Sequence, residues 1–114
     1  EYRRQCVLSV GRDLSNDVRL GNSLATAQKC QLVSGDSRLA CMQGVVYALI
    51  DNTWDGRYAL PFCATFTQPS DQNDCVRLSV EYLTETFAKS PAEIAGECAT
   101  HLPQPAGCAE LAAR

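Results

Sequence analysis

Apolar residues recur at helical spacing along most of the chain. In one stretch Val76, Val80, Leu83 and Phe87 follow one another at steps of four, three and four residues, which places them on one helix face. Two earlier stretches show the same spacing, at Val7, Val10, Leu14 and Val18 and at Val45, Val46, Leu49 and Ile50. Alternation typical of strands rarely persists, so the pattern predicts an all-α fold.

A polar break follows each apolar stretch, at residues 19–23, 52–56 and 89–90, and a shorter Ala-rich stretch comes after it. This layout predicts pairs of antiparallel helices. At the third break, Ser90-Pro91-Ala92-Glu93 combines an N-cap serine, a proline at the first helical position and a glutamate at the third, which predicts a helix start. In the second pair, Pro61 predicts either a late helix start or a kink.

Seven cysteines form two interleaved series with one period. Cys6, Cys41, Cys75 and Cys108 are 35, 34 and 33 residues apart, and Cys30, Cys63 and Cys98 are 33 and 35 apart. A fixed period of this length is typical of stacked repeats. We therefore predict one domain over residues 1–114, with repeats 6–40, 41–74 and 75–107 and a partial unit 108–114. Three stacked helix hairpins would form an α-solenoid-like array with a truncated fourth helix.

The cysteine spacing fits two disulfide registers. Because the ends of an antiparallel hairpin lie side by side, each hairpin can be closed by its own bridge, in the pairs Cys6–Cys30, Cys41–Cys63 and Cys75–Cys98, which leaves Cys108 unpaired. The alternative joins neighbouring units through the pairs 30–41, 63–75 and 98–108 and leaves Cys6 free. We favour the first register because it makes every unit self-contained. The odd cysteine is then either an inert thiol or a bridge to another chain.

This cysteine content is typical of proteins that fold in an oxidising compartment. The chain begins at Glu1 without a methionine, so we expect a periplasmic or extracellular protein from which a signal peptide has been removed. No apolar run approaches the length of a membrane span, which predicts no membrane insertion. The net charge is −3 and the basic residues are scattered, which argues against nucleic-acid binding.

The residues that common enzyme and metal sites need are largely missing. The chain has no C-x-x-C motif and one histidine, so we expect neither a metal nor another cofactor. A Cys–His pair could form only from Cys98 and His101, and a histidine near a helix end is explained by the helix dipole. No nucleophile elbow or glycine-rich phosphate loop occurs, so we predict no enzymatic activity.

The turn of the second hairpin, from Asn52 to Arg57, is the candidate interaction site. Trp54 and Tyr58 could be aromatic anchors there, beside Asp55 and Arg57. The alternative is structural, with Asp51 and Asp55 as turn and cap residues and the indole folded over the adjacent hairpin.

The run Cys41-Met42-Gln43-Gly44-Val45-Val46-Tyr47, together with the 34-residue period, resembles the Sel1-like branch of tetratricopeptide-type repeats, in particular the disulfide-bridged Helicobacter cysteine-rich proteins. The resemblance implies a binding scaffold with no catalytic residues. A fainter likeness, carried by Val80-Glu81-Tyr82-Leu83, is to periplasmic immunity proteins that block type VI secretion amidases.

The sequence therefore predicts a non-enzymatic helical-repeat protein that mediates protein–protein interaction, with a partner protein or with its own copies. Two alternatives remain open. One is an inhibitor or immunity protein of a secreted enzyme, acting through the loop from Asn52 to Arg57. The other is a structural subunit of an envelope or filament assembly.

Overall fold

Helices joined by short turns make up the described part of the protein. The computed structural model describes residues 14–16, 18–19 and 21–113, and no strand occurs among them. Six helices lie between residues 21 and 113: α1 (Ser23–Gln31), α2 (Gly35–Thr53), α3 (Ala59–Ala64), α4 (Pro69–Glu85), α5 (Pro91–His101) and α6 (Ala106–Ala113). Residues 14–16 and 18–19 are helical as well. The all-α prediction is confirmed.

Long first helices alternate with shorter second helices in the predicted order. Within a unit, α2 turns into α3 through residues 54–58, and α4 turns into α5 through residues 86–90. Shorter connectors lead from one unit to the next, at residues 32–34, 65–68 and 102–105. The division of the chain into one domain with these repeat boundaries stays a prediction.

Both long helices begin earlier than the cysteine spacing suggested. The sequence predicted helix starts at Cys41 and Cys75, whereas α2 begins at Gly35 and α4 at Pro69. Proline suits the first helical turn because its ring already has the helical φ and the amide hydrogen it lacks would be unbonded there. Each of these helices also carries an aspartate in its first turn, Asp36 or Asp71, which favours the amide end of the helix dipole.

Local sequence signals fixed two other helix starts as predicted. The Ser90 amide donates to Glu93 Oε1 at 3.0 Å and the Glu93 amide donates to Ser90 Oγ at 3.2 Å, which completes the capping box of α5. Pro61 is the third residue of α3, which starts late, at Ala59. The amide hydrogens of a first helical turn have no partner within the helix, so the proline costs α3 no hydrogen bond.

The core lies between the helix layers. Its largest fully buried side chains include Phe62, Phe66, Met42, Leu49 and Leu83. Among the first helices, α2 packs on α4 and α4 packs on α6; among the second helices, α1 packs on α3 and α3 on α5. Each hairpin thus buries its apolar face against the next one, as stacked repeats do. The α-solenoid superhelix stays a prediction. No helix in the described part of the chain is both long and apolar enough to cross a membrane.

Three disulfides join neighbouring units, so the favoured in-hairpin register is wrong. The bonds are Cys30–Cys41, Cys63–Cys75 and Cys98–Cys108, with Cα atoms 5.5, 5.3 and 5.8 Å apart. The predicted pairs Cys6–Cys30, Cys41–Cys63 and Cys75–Cys98 are therefore excluded, and Cys108 is not the unpaired cysteine. Cys6 lies outside the described residues.

In the second hairpin, the short second helix keeps the two cysteines of the in-hairpin pair apart. From Cys41 to the end of α2 at Thr53 the helix rises about 18 Å, whereas α3 returns only about 6 Å from Ala59 to Cys63. The two sulfurs of that hairpin therefore stand at different levels. Each connector instead brings the end of a second helix beside the beginning of the next first helix, within disulfide reach.

A partly buried ion pair reinforces the joint between the first connector and α4. Arg38 Nη1 lies 3.1 Å from Asp71 Oδ2, and the Asp71 side chain is only 7% exposed. The same guanidinium donates from Nε to the Val33 carbonyl at 2.9 Å and from Nη2 to the Gln31 carbonyl at 3.1 Å. One side chain therefore holds the end of α1, its connector and the first turn of α4 together.

Candidate interaction surface

The turn between α2 and α3 begins with a residue in an unusual backbone conformation. Trp54 follows the last residue of α2 with φ 63° and ψ 19°, in the left-handed region, and its amide donates to the Ile50 carbonyl at 2.7 Å. Glycine is the usual residue at this position because a side chain there is strained. Ala88, in the turn that follows α4, shares the left-handed conformation with φ 53°.

Hydrogen bonds within the turn fix its backbone. Thr53 Oγ1 donates to the Asp55 carbonyl at 3.1 Å. The Asp55 carboxylate accepts the Arg57 amide at 3.0 Å and also binds the guanidinium, with Nη2 2.9 Å from Oδ2 and Nε 3.1 Å from Oδ1. Burial raises the pKa of Asp55, but the side-chain and backbone hydrogen bonds from Arg57 and the bond to Thr53 outweigh it, so the pKa lies below its ordinary value.

The turn is also held from α5. The Gly56 amide donates to Glu97 Oε1, and the other oxygen of that carboxylate lies 3.4 Å from Lys89 Nζ. A side chain at Gly56 would place its Cβ 2.9 Å from Leu60 Cδ1 and 3.2 Å from Glu97 Oε1, so the close approach needs glycine. The turn therefore has a single, well-supported shape.

Four aromatic rings form a connected surface next to this turn. Tyr47 stacks on Tyr82 with ring centroids 3.8 Å apart, Phe87 meets Tyr82 edge-on at 5.6 Å, and Trp54 lies tilted over Phe87 at 6.4 Å. We call these four residues the aromatic patch. Trp54 is 69% exposed, whereas the other three rings are half-buried. The patch therefore rises from a packed base on α2 and α4 to a solvent-facing indole.

A hydrogen bond to a carboxylate holds the base of the aromatic patch. The Tyr82 hydroxyl donates to Asp51 Oδ1 at 2.6 Å, from α4 to the last turns of α2. This bond fixes the stacked ring of Tyr82 at its free edge. The Tyr82 ring is therefore held to α2 in two ways, by its stack on Tyr47 and by its hydroxyl.

The structure brings the four predicted turn residues together, but in different roles. Trp54 belongs to the aromatic patch, and Asp55 and Arg57 bind each other within the turn. Tyr58 stands immediately before α3 and is 37% exposed. Asp55 is a turn residue, as the structural alternative has it. The indole meets Phe87 of the adjacent hairpin and leaves most of its surface in solvent, so neither alternative is decided by these contacts.

Sequence reasoning missed three members of the aromatic patch: Tyr47, Tyr82 and Phe87. Tyr47 and Tyr82 are 35 residues apart, one more than the 34 that separate Cys41 from Cys75, so the cysteine period does not align them. Phe87 had been assigned to the apolar face of its helix, but α4 ends at Glu85 and the ring lies in the turn that follows.

The sequence raised two other kinds of site, a Cys98–His101 pair and a metal site, and the structure supports neither among the described residues. Cys98 is bonded to Cys108, so its sulfur is not a free nucleophile beside His101, which ends α5. Among the described residues, no group of three or more His, Cys, Asp or Glu side chains is placed to hold a metal ion.

Comparison with known proteins adds no relative. No protein-family model matches the chain, and neither the curated proteins nor the solved structures contain a match. The resemblance to Sel1-like repeats therefore stays a prediction, and the candidate site rests on its own geometry.

Proposed function

We propose that this protein is a non-enzymatic helical-repeat module that binds a partner protein through the aromatic patch. The observation that carries the proposal is Trp54, which holds a strained left-handed conformation and still leaves 69% of its surface in solvent. The core of this fold accommodates large rings, since Phe62 and Phe66 are fully buried. An exposed indole in so ordered a setting is better explained by recognition than by stability.

The chemistry of the patch suits a protein partner. Tryptophan and tyrosine are the residues most often found at the energetic centres of protein interfaces, because they bury a large area and lose little conformational freedom. Here the indole is positioned by Phe87 below it and by the fixed turn beside it. A partner would therefore meet a surface that needs little ordering on binding.

We further propose that the protein works in the periplasm or outside the cell. The support is the set of three disulfides, which accounts for six of the seven cysteines. Such bonds form and persist in oxidising compartments, and they pin a small domain against unfolding there.

An inhibitor of a secreted enzyme is the second candidate, and the shape of residues 52–57 favours it. That loop is supported by the Asp55–Arg57 pair and by Glu97 from α5, so its tip could enter a cleft without first being ordered. The third possibility from the sequence, a structural subunit, draws no specific support from these contacts.

The proposal is tested by capturing partners with Trp54→Ala and a matched control. Leu32→Ala is that control, because Leu32 is 85% exposed and lies in the first connector, outside the aromatic patch. We immobilise the wild type and each variant and expose them to the envelope and secreted fractions of the source organism. Circular dichroism verifies that all three are folded.

We expect one or a few proteins to be retained by the wild type and by Leu32→Ala, with recovery at least tenfold lower on Trp54→Ala. Equal recovery on both variants would refute recognition through the aromatic patch. A captured hydrolase that loses activity in the complex would favour the inhibitor function over the scaffold function.

A further inference from the structure

A long hollow runs between α4 and α6, on a face that the aromatic patch does not use. It consists of two adjoining clefts of about 700 Å³ and about 260 Å³, which share Arg77 and Leu111 among their lining residues. We call it the α4–α6 groove. Its length along both helices is suited to a peptide segment rather than to a compact ligand.

The floor of the groove is apolar and its rim is acidic. Val80 is buried, and Val76 and Leu111 are half-buried, so these side chains form the floor. Four carboxylates also line the groove and are more exposed, at Asp74, Glu81, Glu85 and Glu110. Arg77 is the single basic residue among the residues that line the two clefts.

Arg77 leaves most of this negative charge uncompensated. Its guanidinium lies 3.5 Å from Asp74 and 3.4 Å from Glu81, and all three side chains are roughly half exposed. Exposed ion pairs of this kind contribute little to stability, so an incoming cation can replace Arg77 at either carboxylate at small cost. Glu85 and Glu110 add two further carboxylates on either side of the apolar floor.

Two other sources of charge do not change this balance. The amide end of α6 reaches the groove at Ala106, and a helix end supplies only about half a positive charge. A second copy of the chain is a poor occupant, because the protein carries a net charge of −3 and would bring its own acidic surface.

From the apolar floor and the excess of carboxylates, we infer that the α4–α6 groove binds a segment of a partner protein that carries lysine or arginine side chains beside apolar ones. The apolar side chains of that segment would cover Val76, Val80 and Leu111, and its cations would meet the rim. The inference rests on the proposed function, because it takes the chain to be an interaction module, and it names the chemistry of a partner segment.

The test uses the full chain and a synthetic probe. The probe is a 16-residue peptide of leucine, alanine and lysine with its leucines on one helix face; its counterpart carries glutamate in place of lysine. Binding is followed by two-dimensional NMR of the isotope-labelled protein, which shows where the peptide lies, and by fluorescence titration. Glu85→Gln and Glu110→Gln each remove one charge from the groove. Asp36→Asn is the matched control, since Asp36 is exposed in the first turn of α2.

We expect the lysine peptide to shift amide signals of α4 and α6, and the glutamate peptide to shift none. Each glutamine variant should weaken binding about threefold, and a triple variant that adds Glu81→Gln should weaken it at least tenfold, while Asp36→Asn stays within twofold of the wild type. Equal weakening by Asp36→Asn would show a net-charge effect only and overturn the inference. The α4–α6 groove is also lined by residues 63–64 and 102–104, so signals there should shift as well. Signal changes only at residues away from this lining, or self-association through this face, would also overturn the inference.

The peptide experiment and the capture experiment distinguish a failure of this inference from a failure of the proposed function. If a partner is captured through Trp54 but the lysine peptide does not bind the groove, this inference is wrong and the proposed function stands. If capture does not depend on Trp54 while the peptide binds between α4 and α6, recognition through the aromatic patch is wrong and the groove remains.

Discussion

The ring of Tyr47 stacks on the ring of Tyr82, with an angle of 9° between the two ring planes and the two centroids 3.8 Å apart. Tyr47 lies on α2 and Tyr82 on α4, the long helices of successive units. The stack therefore adds a contact between two units that the Cys63–Cys75 disulfide joins elsewhere, and it supports the base of the aromatic patch.

A double-mutant cycle on this stack should show coupling. Tyr47→Leu and Tyr82→Leu each retain apolar bulk but remove one ring, and together they should be less destabilising than the sum of the two by about 1 kcal/mol. Urea denaturation gives the free energies. Tyr82→Phe is the control for the hydrogen bond to Asp51 and keeps the stack; additive losses in the cycle would contradict a direct ring contact.

Removal of the strain at Trp54 should separate stability from binding. Glycine is relaxed in the left-handed conformation, so Trp54→Gly should leave the free energy of unfolding unchanged or raise it by up to about 1 kcal/mol. Partner recovery should fall as it does for Trp54→Ala. Thermal and chemical denaturation provide the measurement; a loss of stability well above 1 kcal/mol would mean that the indole is chiefly a structural residue.

The central disulfide should be the most costly to remove from the core. Cys63 and Cys75 are fully buried, and the loop they close predicts that the Cys63→Ala/Cys75→Ala variant loses about 3 kcal/mol of unfolding free energy. The Cys98–Cys108 bond closes a loop of similar length but holds the last described helix, α6, and the Cys98→Ala/Cys108→Ala variant removes it. For that variant, hydrogen exchange should rise first in α6. Equal global loss with uniform exchange in both variants would contradict this difference.

The partly buried pair between Arg38 and Asp71 should also be needed for stability. Asp71→Asn keeps the shape of the side chain but removes the charge that the guanidinium faces, and we expect a loss of about 2 kcal/mol. Arg77→Gln is a suitable comparison, because its ion pairs are exposed and its loss should stay below about 1 kcal/mol. Similar values for the two variants would show that burial does not strengthen the Arg38–Asp71 pair.

Acid should weaken the protein through Asp55 and Glu93. Burial raises the pKa of Asp55, yet the hydrogen bonds from Arg57 and Thr53 lower it by more; the backbone and side chain of Ser90 lower the pKa of Glu93. Both carboxyls therefore release protons more readily in the folded state than in the unfolded state. Their contribution to stability is complete above the ordinary values of 3.8 and 4.5, and it is lost as the pH falls through the lower folded-state values.

The measurement is the melting temperature as a function of pH. It should be nearly constant from about pH 6 to pH 5 and should fall below about pH 4 as these two groups are protonated. The Asp55→Asn/Glu93→Gln variant should be less stable at neutral pH and show a shallower fall in acid. Parallel curves for the variant and the wild type would exclude these carboxyls as the cause.

The sequence predicted helix starts correctly where the signal lies in a few neighbouring residues. The Ser90 capping box and the position of Pro61 each depend on a few neighbouring residues, and both appear in the structure as expected. The start of α4 was missed although Pro69 marks it, because the cysteine period drew the boundary to Cys75 instead.

The disulfide register could not be settled from the sequence, because alternating cysteines satisfy either pairing. In the second hairpin the structure decides it, because α3 is too short to bring Cys63 back to the level of Cys41. The candidate site was located from Trp54 and Tyr58 with Asp55 and Arg57 beside them. Tyr47 and Tyr82 became visible only when the packing of α2 on α4 placed their rings in contact.

The placement of the sulfur bridges also governs what a protease could release. Cleavage within residues 32–34, 65–68 or 102–105 leaves two pieces still covalently tied, because a cystine spans each of these segments. Cleavage within residues 54–58 or 86–90 is different, because no cystine among the described residues crosses either segment. Of the five turns between α1 and α6, the loop that presents the indole is thus one of two that no described cystine spans. A single cut there leaves fragments joined only by packing, so proteolysis could end binding and divide the molecule in one event.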